Sequence, residues 1–246
     1  MIAASNGQFR FVTTSLLGYG GTAERRTASD TSISYEAETL ESVIRKAGGR
    51  AHLVGHSFGG LVALAVAMRR RVSLASLVII EAPAAELLRT CGEDDHFRAF
   101  RQMTDRYFAS FANGNFGAIT HMIDFYGGAG TFASWPERVR GYAIETTPVN
   151  ILDWASAGAF PLSAASLAAV DIPILVVRGG VSPDAVQRAN ELIGECVTGA
   201  TLATVEGAAH FMIATHANEV AELISEHVRL VEAKDAFNVA YEHTRS

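Results

Sequence analysis

Hydrophobic residues occur along the chain in two kinds of run, which alternate. Short continuous runs rich in Val, Ile and Leu are typical of strands buried on both faces, and they cover residues 51–54, 74–80, 173–177 and 201–205. Runs with apolar side chains at helical spacing follow or precede them, at residues 34–47, 61–70, 183–193 and 218–231. Residues 9–14 predict a further strand. Such alternation predicts an α/β fold, a mostly parallel sheet flanked by helices.

Residues 84–165 interrupt this alternation. They are rich in Phe, Tyr, Trp and Ala, with a helical pattern over residues 96–111 and no strand pattern. We therefore predict a helical cap inserted between two strands of one core, which residues 1–83 and 166–246 form together.

Composition narrows the classes of function. The chain has 246 residues, of which 49% are hydrophobic and 19% are charged, and its net charge is -6. That charge argues against binding to nucleic acid or to an anionic membrane, since both need clustered Lys and Arg. The start has no signal-peptide pattern and the longest apolar run, residues 61–68, is too short to cross a bilayer, so we expect a cytoplasmic protein.

The sequence contains two cysteines, Cys91 and Cys196, which lack metal-ligand spacing. They could form one disulfide, but free thiols in a reducing compartment are the simpler expectation. We predict no metal and no cofactor, and the oligomeric state stays open.

The strongest chemical motif surrounds Ser57. Gly55-His56-Ser57-Phe58-Gly59 follows a predicted strand and opens a predicted helix. A serine on so tight a strand-to-helix turn needs glycines two residues before and after it, because Cβ atoms there would collide. The serine oxygen then stands clear of the sheet beside a helix N-terminus, which favours negative charge. The motif predicts a nucleophilic serine.

Three ordered segments resemble the α/β-hydrolase superfamily, namely residues 17–22, 53–60 and 205–211. The resemblance covers nearly the whole chain and implies that fold with a cap, N-terminally shortened because the chain starts at what looks like the fourth strand. The missing third strand would leave a gap beside the strand that precedes Ser57. Either residues 9–15 pair directly with that strand, or the protein begins upstream.

The resemblance also implies roles for individual residues. His210, which lies between the last strand and the closing helix, would be the base that takes the Ser57 proton. The Phe58 backbone N–H would donate to the oxyanion; the second donor comes from a loop that this sequence lacks. His56, Trp135 and Trp154 are candidates for binding substrate, although cap aromatics more often form the core of the cap.

The acid that orients His210 has two candidates. The usual family position, in the loop after residues 174–177, holds Ser182, and Asp184 follows two residues later in an ordinary helix start. Glu81 ends a wholly apolar strand 24 positions after Ser57, a separation that resembles haloalkane dehalogenases. A buried charge there needs a polar partner, so we favour Glu81. Those relatives use an aspartate nucleophile, so Ser57 speaks against dehalogenation.

These observations predict a serine hydrolase that cleaves an ester, lactone, thioester or carbon–carbon bond of a small apolar molecule. One alternative is an inactive or binding-only protein of the same fold, which the missing front strands favour. Another is a cofactor-free haloperoxidase-like enzyme that uses the same three residues.

Overall fold

A computed structural model describes the backbone of residues 9–243 and the side chains of residues 9–237. Its sheet has four strands, β1 (Ala51–His56), β2 (Leu74–Ile80), β3 (Ile174–Gly179) and β4 (Thr201–Val205). All neighbouring pairs are parallel and the order is β1-β2-β3-β4. The predicted α/β fold class is confirmed. In a parallel sheet the carboxyl ends of the strands share one edge, so the residues that follow β1, β2 and β4 come close together.

Helices connect the strands. Those close to the sequence predictions are α1 (Ser34–Ala47), α2 (Phe58–Arg69), α10 (Asp184–Cys196) and α12 (Ala217–His243). Between β2 and β3 the described chain is helical, with α3 (Ala85–Thr90), α4 (Asp94–Ala112), α5 (Ile119–Gly127), α6 (Thr131–Ser134), α7 (Glu137–Glu145), α8 (Thr147–Ala159) and α9 (Ala164–Ala168). The short helix α11 (Met212–Thr215) precedes α12.

The sheet is buried on both faces at β2. Leu77 and Ile79 belong to one hydrophobic cluster, which also holds α2 and much of α10, whereas Val78 and Ile80 belong to a second one under α12. Every residue of β2 is buried. Because five of its seven side chains enter one of these two cores, the strand is almost entirely apolar, with Ser76 as its one polar residue.

The strand predicted at residues 9–14 is wrong. This segment has no ladder partner among the described residues, and Phe11 and Val12 are 43% and 51% exposed. A groove of about 560 Å³ separates it from the outer edge of β1. Direct pairing with β1, one of the two expectations above, does not occur. A strand needs a neighbour to satisfy its backbone N–H and C=O groups, and this segment has none within reach.

Of the helices in residues 9–243, none combines the length and apolar character needed to cross a membrane.

Cys91 and Cys196 are free thiols. Burial raises the pKa of Cys196, and the neighbouring Cys91 thiol acts in the same direction.

Candidate active site

The turn between β1 and α2 holds Ser57 in a strained backbone conformation. Its φ of 56° and ψ of -129° lie in a region of backbone conformation where residues other than Gly are rare. Gly55 makes this turn possible, because a Cβ atom there would lie 2.3 Å from the backbone oxygen of Gly59. Ser57 is anchored by its N–H, which donates to the Ile80 carbonyl at 2.8 Å. The serine hydroxyl therefore projects from a fixed position at the end of β1.

Replacement of Gly55 by Ala should consequently destabilise the turn. The added methyl group meets backbone atoms, which cannot swing aside as a flexible side chain can. We expect the free energy of unfolding to fall by about 2 kcal/mol or more, as measured by urea denaturation. The control is Gly141→Ala, because a Cβ atom at Gly141 would meet open space. Gly48 also has open space around it, but its positive φ would strain an alanine. Equal stability of the Gly55 and Gly141 variants would contradict this view of the turn.

Ser57, His210 and Glu81 form one hydrogen-bonded chain. His210 Nε2 lies 2.9 Å from Ser57 Oγ, and His210 Nδ1 lies 2.8 Å from Glu81 Oε2. The histidine is 2% exposed and the Glu81 carboxylate is fully buried. If Glu81 accepts from Nδ1–H, then Nε2 is the unprotonated nitrogen and can take a proton from the serine. The arrangement can thus activate the Ser57 hydroxyl.

Glu81 is held by more than His210. Its other oxygen accepts hydrogen bonds from the Gly179 backbone N–H at 2.7 Å and from the Ser182 hydroxyl at 2.5 Å. The backbone φ of Glu81 is 44°, so this residue, like Ser57, has a positive φ that residues other than Gly rarely adopt. Three donors compensate the carboxylate for its loss of water. Glu81 is thereby fixed in one orientation towards His210.

Asp184, the other acid candidate, lies elsewhere. It is exposed and begins α10, whereas Nδ1 of His210 is occupied by Glu81. Ser182 holds the position at which an aspartate was expected, and its hydroxyl supports Glu81 instead. The loop around residue 182 thus contributes to the site through a neutral donor.

Tyr126 and His56 also contact His210. The ring of Tyr126 packs against the imidazole at a centroid distance of 4.0 Å. His56 Nε2 lies 2.8 Å from the His210 backbone carbonyl and therefore donates to it. Burial is the main cause that lowers the pKa of His56 to about 3, and the nearby His210 acts in the same direction. His56 therefore stays neutral. His56 holds the His210 loop, and it does not line the space in front of Ser57.

A small cavity, the serine chamber, opens in front of Ser57. Its volume is about 30 Å³. Its walls include Phe58, Met122, Asn150, Asp153 and Trp154. Trp154, a predicted substrate-binding residue, thus lies at the site. Trp135 packs edge-on against Phe211 and lies outside this wall.

Phe58 is the first residue of α2 and also lines the serine chamber. The first N–H groups of a helix have no intrahelical acceptor. The Phe58 N–H is thus available to a developing oxyanion, and the positive end of the α2 dipole reinforces it.

Behind the chamber lies a buried polar network around Asp153. Tyr19 donates its hydroxyl to Asp153 Oδ2 at 2.7 Å, and Arg26 Nη1 lies 2.8 Å from Oδ1. The same Arg26 pairs with Glu24 at 2.8 Å and approaches Glu36 at 3.5 Å. Burial raises the pKa of Asp153 to about 7, although Tyr19 and Arg26 act in the opposite direction.

This raised pKa makes stability depend on pH with a defined sign. Because the folded-state pKa of Asp153 exceeds the ordinary 3.8, the folded protein binds more protons than the unfolded chain between those values. The contribution of this group to the free energy of unfolding is present below pH 3.8 and is lost as the pH rises through about 7. We expect Asp153→Asn to gain stability relative to wild type as the pH rises across this window. Urea unfolding at several pH values measures the difference; a pH-independent difference would contradict it.

Sequence reasoning missed Asn150 and Asp153 as parts of this site. Both lie in the helices between β2 and β3, where periodicity indicates a helix but not what its polar face contacts. The hydrogen bond that Ser182 donates to Glu81 did have a signal in the sequence, since a hydroxyl at the position of an expected acid suggests a supporting donor. Among the described residues, no group of three or more His, Cys, Asp or Glu side chains could hold a metal ion.

Comparison with known proteins places this geometry in a family. A sequence profile for the alpha/beta hydrolase family matches residues 1–223. No curated protein matches the chain.

Solved structures share the fold at low identity. A lipase-esterase related protein from Clostridium acetobutylicum is 17% identical with a TM-score of 0.62, covering 85% of this chain and 80% of that one. MenH from S. aureus is 14% identical with a TM-score of 0.66, covering 88% and 82%. A bromoperoxidase from Bacillus anthracis is 18% identical with a TM-score of 0.65, covering 86% and 79%. The fold and the matched length agree: this chain belongs to the α/β-hydrolase family.

Proposed function

We propose that this protein is a serine hydrolase that cleaves an ester, lactone, thioester or carbon–carbon bond of a small, largely apolar molecule. The observation that carries the proposal is the continuous chain from Ser57 Oγ through His210 to the buried Glu81, at 2.9 and 2.8 Å. A serine hydroxyl is a weak nucleophile at neutral pH, and this arrangement is what activates it.

The steps for an ester follow from these positions. His210 Nε2 takes the Ser57 proton while Oγ attacks the carbonyl carbon, and the Phe58 N–H donates to the oxygen that becomes negative. His210 then gives the proton to the departing alkoxide, which leaves an acyl group on Ser57. His210 next takes a proton from a water molecule, whose oxygen attacks the acyl carbon. The bond to Ser57 Oγ then breaks, His210 returns the proton to Oγ, and the acid is released. Glu81 stabilises the imidazolium that forms in both halves of the reaction.

A second cavity supports the proposal that part of the substrate is apolar. It has a volume of about 480 Å³ and shares Pro83, Trp154 and Ala157 with the serine chamber. Phe97, Phe100 and Phe108 line it. Apolar walls with a few polar groups are typical of small-molecule sites, so this cavity supports the proposal of an apolar group near the scissile bond.

Hydrolysis of phenyl esters tests the proposal. Phenol release should be catalysed across a series from acetate to octanoate, and Ser57→Ala should abolish it. An exposed serine, Ser29, supplies the matched Ser→Ala control, which should leave the rates unchanged. Absence of turnover, or turnover that survives Ser57→Ala, would overturn the proposal and leave a binding role for this fold.

A further inference from the structure

One wall of the serine chamber is polar, and the proposed chemistry does not use it. Helix α8 contributes Asn150, Asp153, Trp154 and Ala157, which follow the spacing of one helix face. The helix therefore places an amide and a carboxylate side by side in front of Ser57.

Asp153 retains acceptor capacity towards the chamber. Its side chain is buried, with Tyr19 on one oxygen and Arg26 on the other. A carboxylate offers about four lone-pair sites, so these two contacts within the described residues leave room for another donor. Because Asp153 lines the chamber, a bound molecule can supply that donor.

Asn150 offers the complementary group. The Tyr107 hydroxyl donates to Asn150 Oδ1 at 3.1 Å, which directs the amide nitrogen away from Tyr107. The amide nitrogen carries two N–H groups. Because Asn150 also lines the chamber, these groups can donate to a molecule bound there.

The size and charge of the chamber restrict what this wall can hold. The chamber is narrow, about 30 Å³, so its wall can hold only a small polar group such as a hydroxyl beside the reacting carbonyl. A hydroxyl both donates and accepts, as the wall of Asp153 and Asn150 requires. The positive charge of Arg26 is already compensated by three carboxylates, which argues against an anionic ligand in the chamber. These carboxylates belong to Glu24, Glu36 and Asp153.

We propose that Asp153 and Asn150 select substrates whose acyl part carries a hydroxyl group, which donates to Asp153 and accepts from Asn150. This inference rests on the proposed hydrolysis at Ser57 and names the substrate class of the same site. The acyl hydroxyl lies against this wall of the chamber, beside the carbonyl group that Ser57 attacks, and the apolar remainder of the molecule extends towards the larger cavity, which shares Pro83, Trp154 and Ala157 with the chamber.

Two pairs of nearly isosteric phenyl esters test it in the wild-type protein: 2-hydroxybutanoate against 2-methylbutanoate, and 3-hydroxybutanoate against 3-methylbutanoate. Rates are divided by the alkaline hydrolysis rate of each ester, which removes differences in intrinsic reactivity. We expect kcat/KM to favour the hydroxyl ester at least about 10-fold in one pair, because a site built for a hydroxyl rejects the analogue that lacks it. Ser57-dependent turnover without preference in either pair would overturn this inference alone. Absence of Ser57-dependent turnover would overturn the proposed function and the inference with it.

Variants assign the preference to the wall. Asn150→Leu removes the donor and should bring the hydroxyl-to-methyl ratio close to one, and Asp153→Asn should reduce it. Asp184→Asn, which changes an exposed carboxylate, should keep the wild-type ratio. Circular dichroism and the rate of fluorophosphonate labelling check that each variant is folded. A wild-type ratio in both wall variants would overturn the assignment.

Discussion

Replacing His210 by Ala is expected to lower kcat for ester hydrolysis by roughly five to six orders of magnitude. His210 Nε2 is the group at 2.9 Å from Ser57 Oγ, and without it the hydroxyl proton has no acceptor in the site. The loss should fall on kcat and leave KM nearly unchanged, since the imidazole acts on the reacting atoms. Steady-state kinetics with phenyl butanoate measure both parameters.

His96→Ala is the matched control. His96 lies in α4 and its side chain contacts Glu93 at 3.3 Å, away from Ser57. Its replacement should leave kcat within about two-fold of wild type, as surface substitutions usually do little. A His210 variant that retains more than a tenth of wild-type kcat would remove His210 from its role as the base.

Replacing Glu81 by Gln is expected to lower kcat about 10,000-fold. Gln occupies the same space, but its amide can present an N–H to His210 Nδ1, which then stabilises the wrong tautomer of the imidazole. The charge that stabilises the imidazolium is also lost. The measurement is again kcat for phenyl butanoate, with circular dichroism to confirm that the buried amide is tolerated.

Asp184→Asn provides the comparison for this second prediction, because it makes the same chemical change at the other acid candidate. Asp184 is exposed at the start of α10, so its variant should keep wild-type kcat. Full activity of Glu81→Gln together with a large loss in Asp184→Asn would reverse the assignment of the acid.

The sheet and the helices around it could be predicted because burial imposes a period on the sequence. β2, whose large apolar residues enter two separate cores, is an apolar run interrupted only at Ser76, and α1 was predicted at its observed bounds. Residues 9–14 have the same composition as a strand, but a strand also needs a neighbour. Composition cannot report that a groove of about 560 Å³ lies where the neighbour would be.

The candidate site, like the fold, could be predicted from the sequence only in part. Ser57 and His210 could be identified because each follows a strand, and the carboxyl ends of parallel strands meet at one edge. The polar wall could not, since Tyr19 and Asp153 lie 134 positions apart and meet only through the packing of α8 against the core. Ser182 was noticed as a missing acid, and its contact with Glu81 depends on a loop geometry that spacing alone does not define.

The most direct test of the central claim is covalent labelling of the folded protein with a fluorophosphonate, followed by peptide mass spectrometry. If Ser57 is the activated nucleophile, the adduct should be found on Ser57, and Ser57→Ala and His210→Ala should both lose the label while Ser29→Ala keeps it. Folded wild-type protein that takes up no label, or carries it on another residue, would contradict the claim.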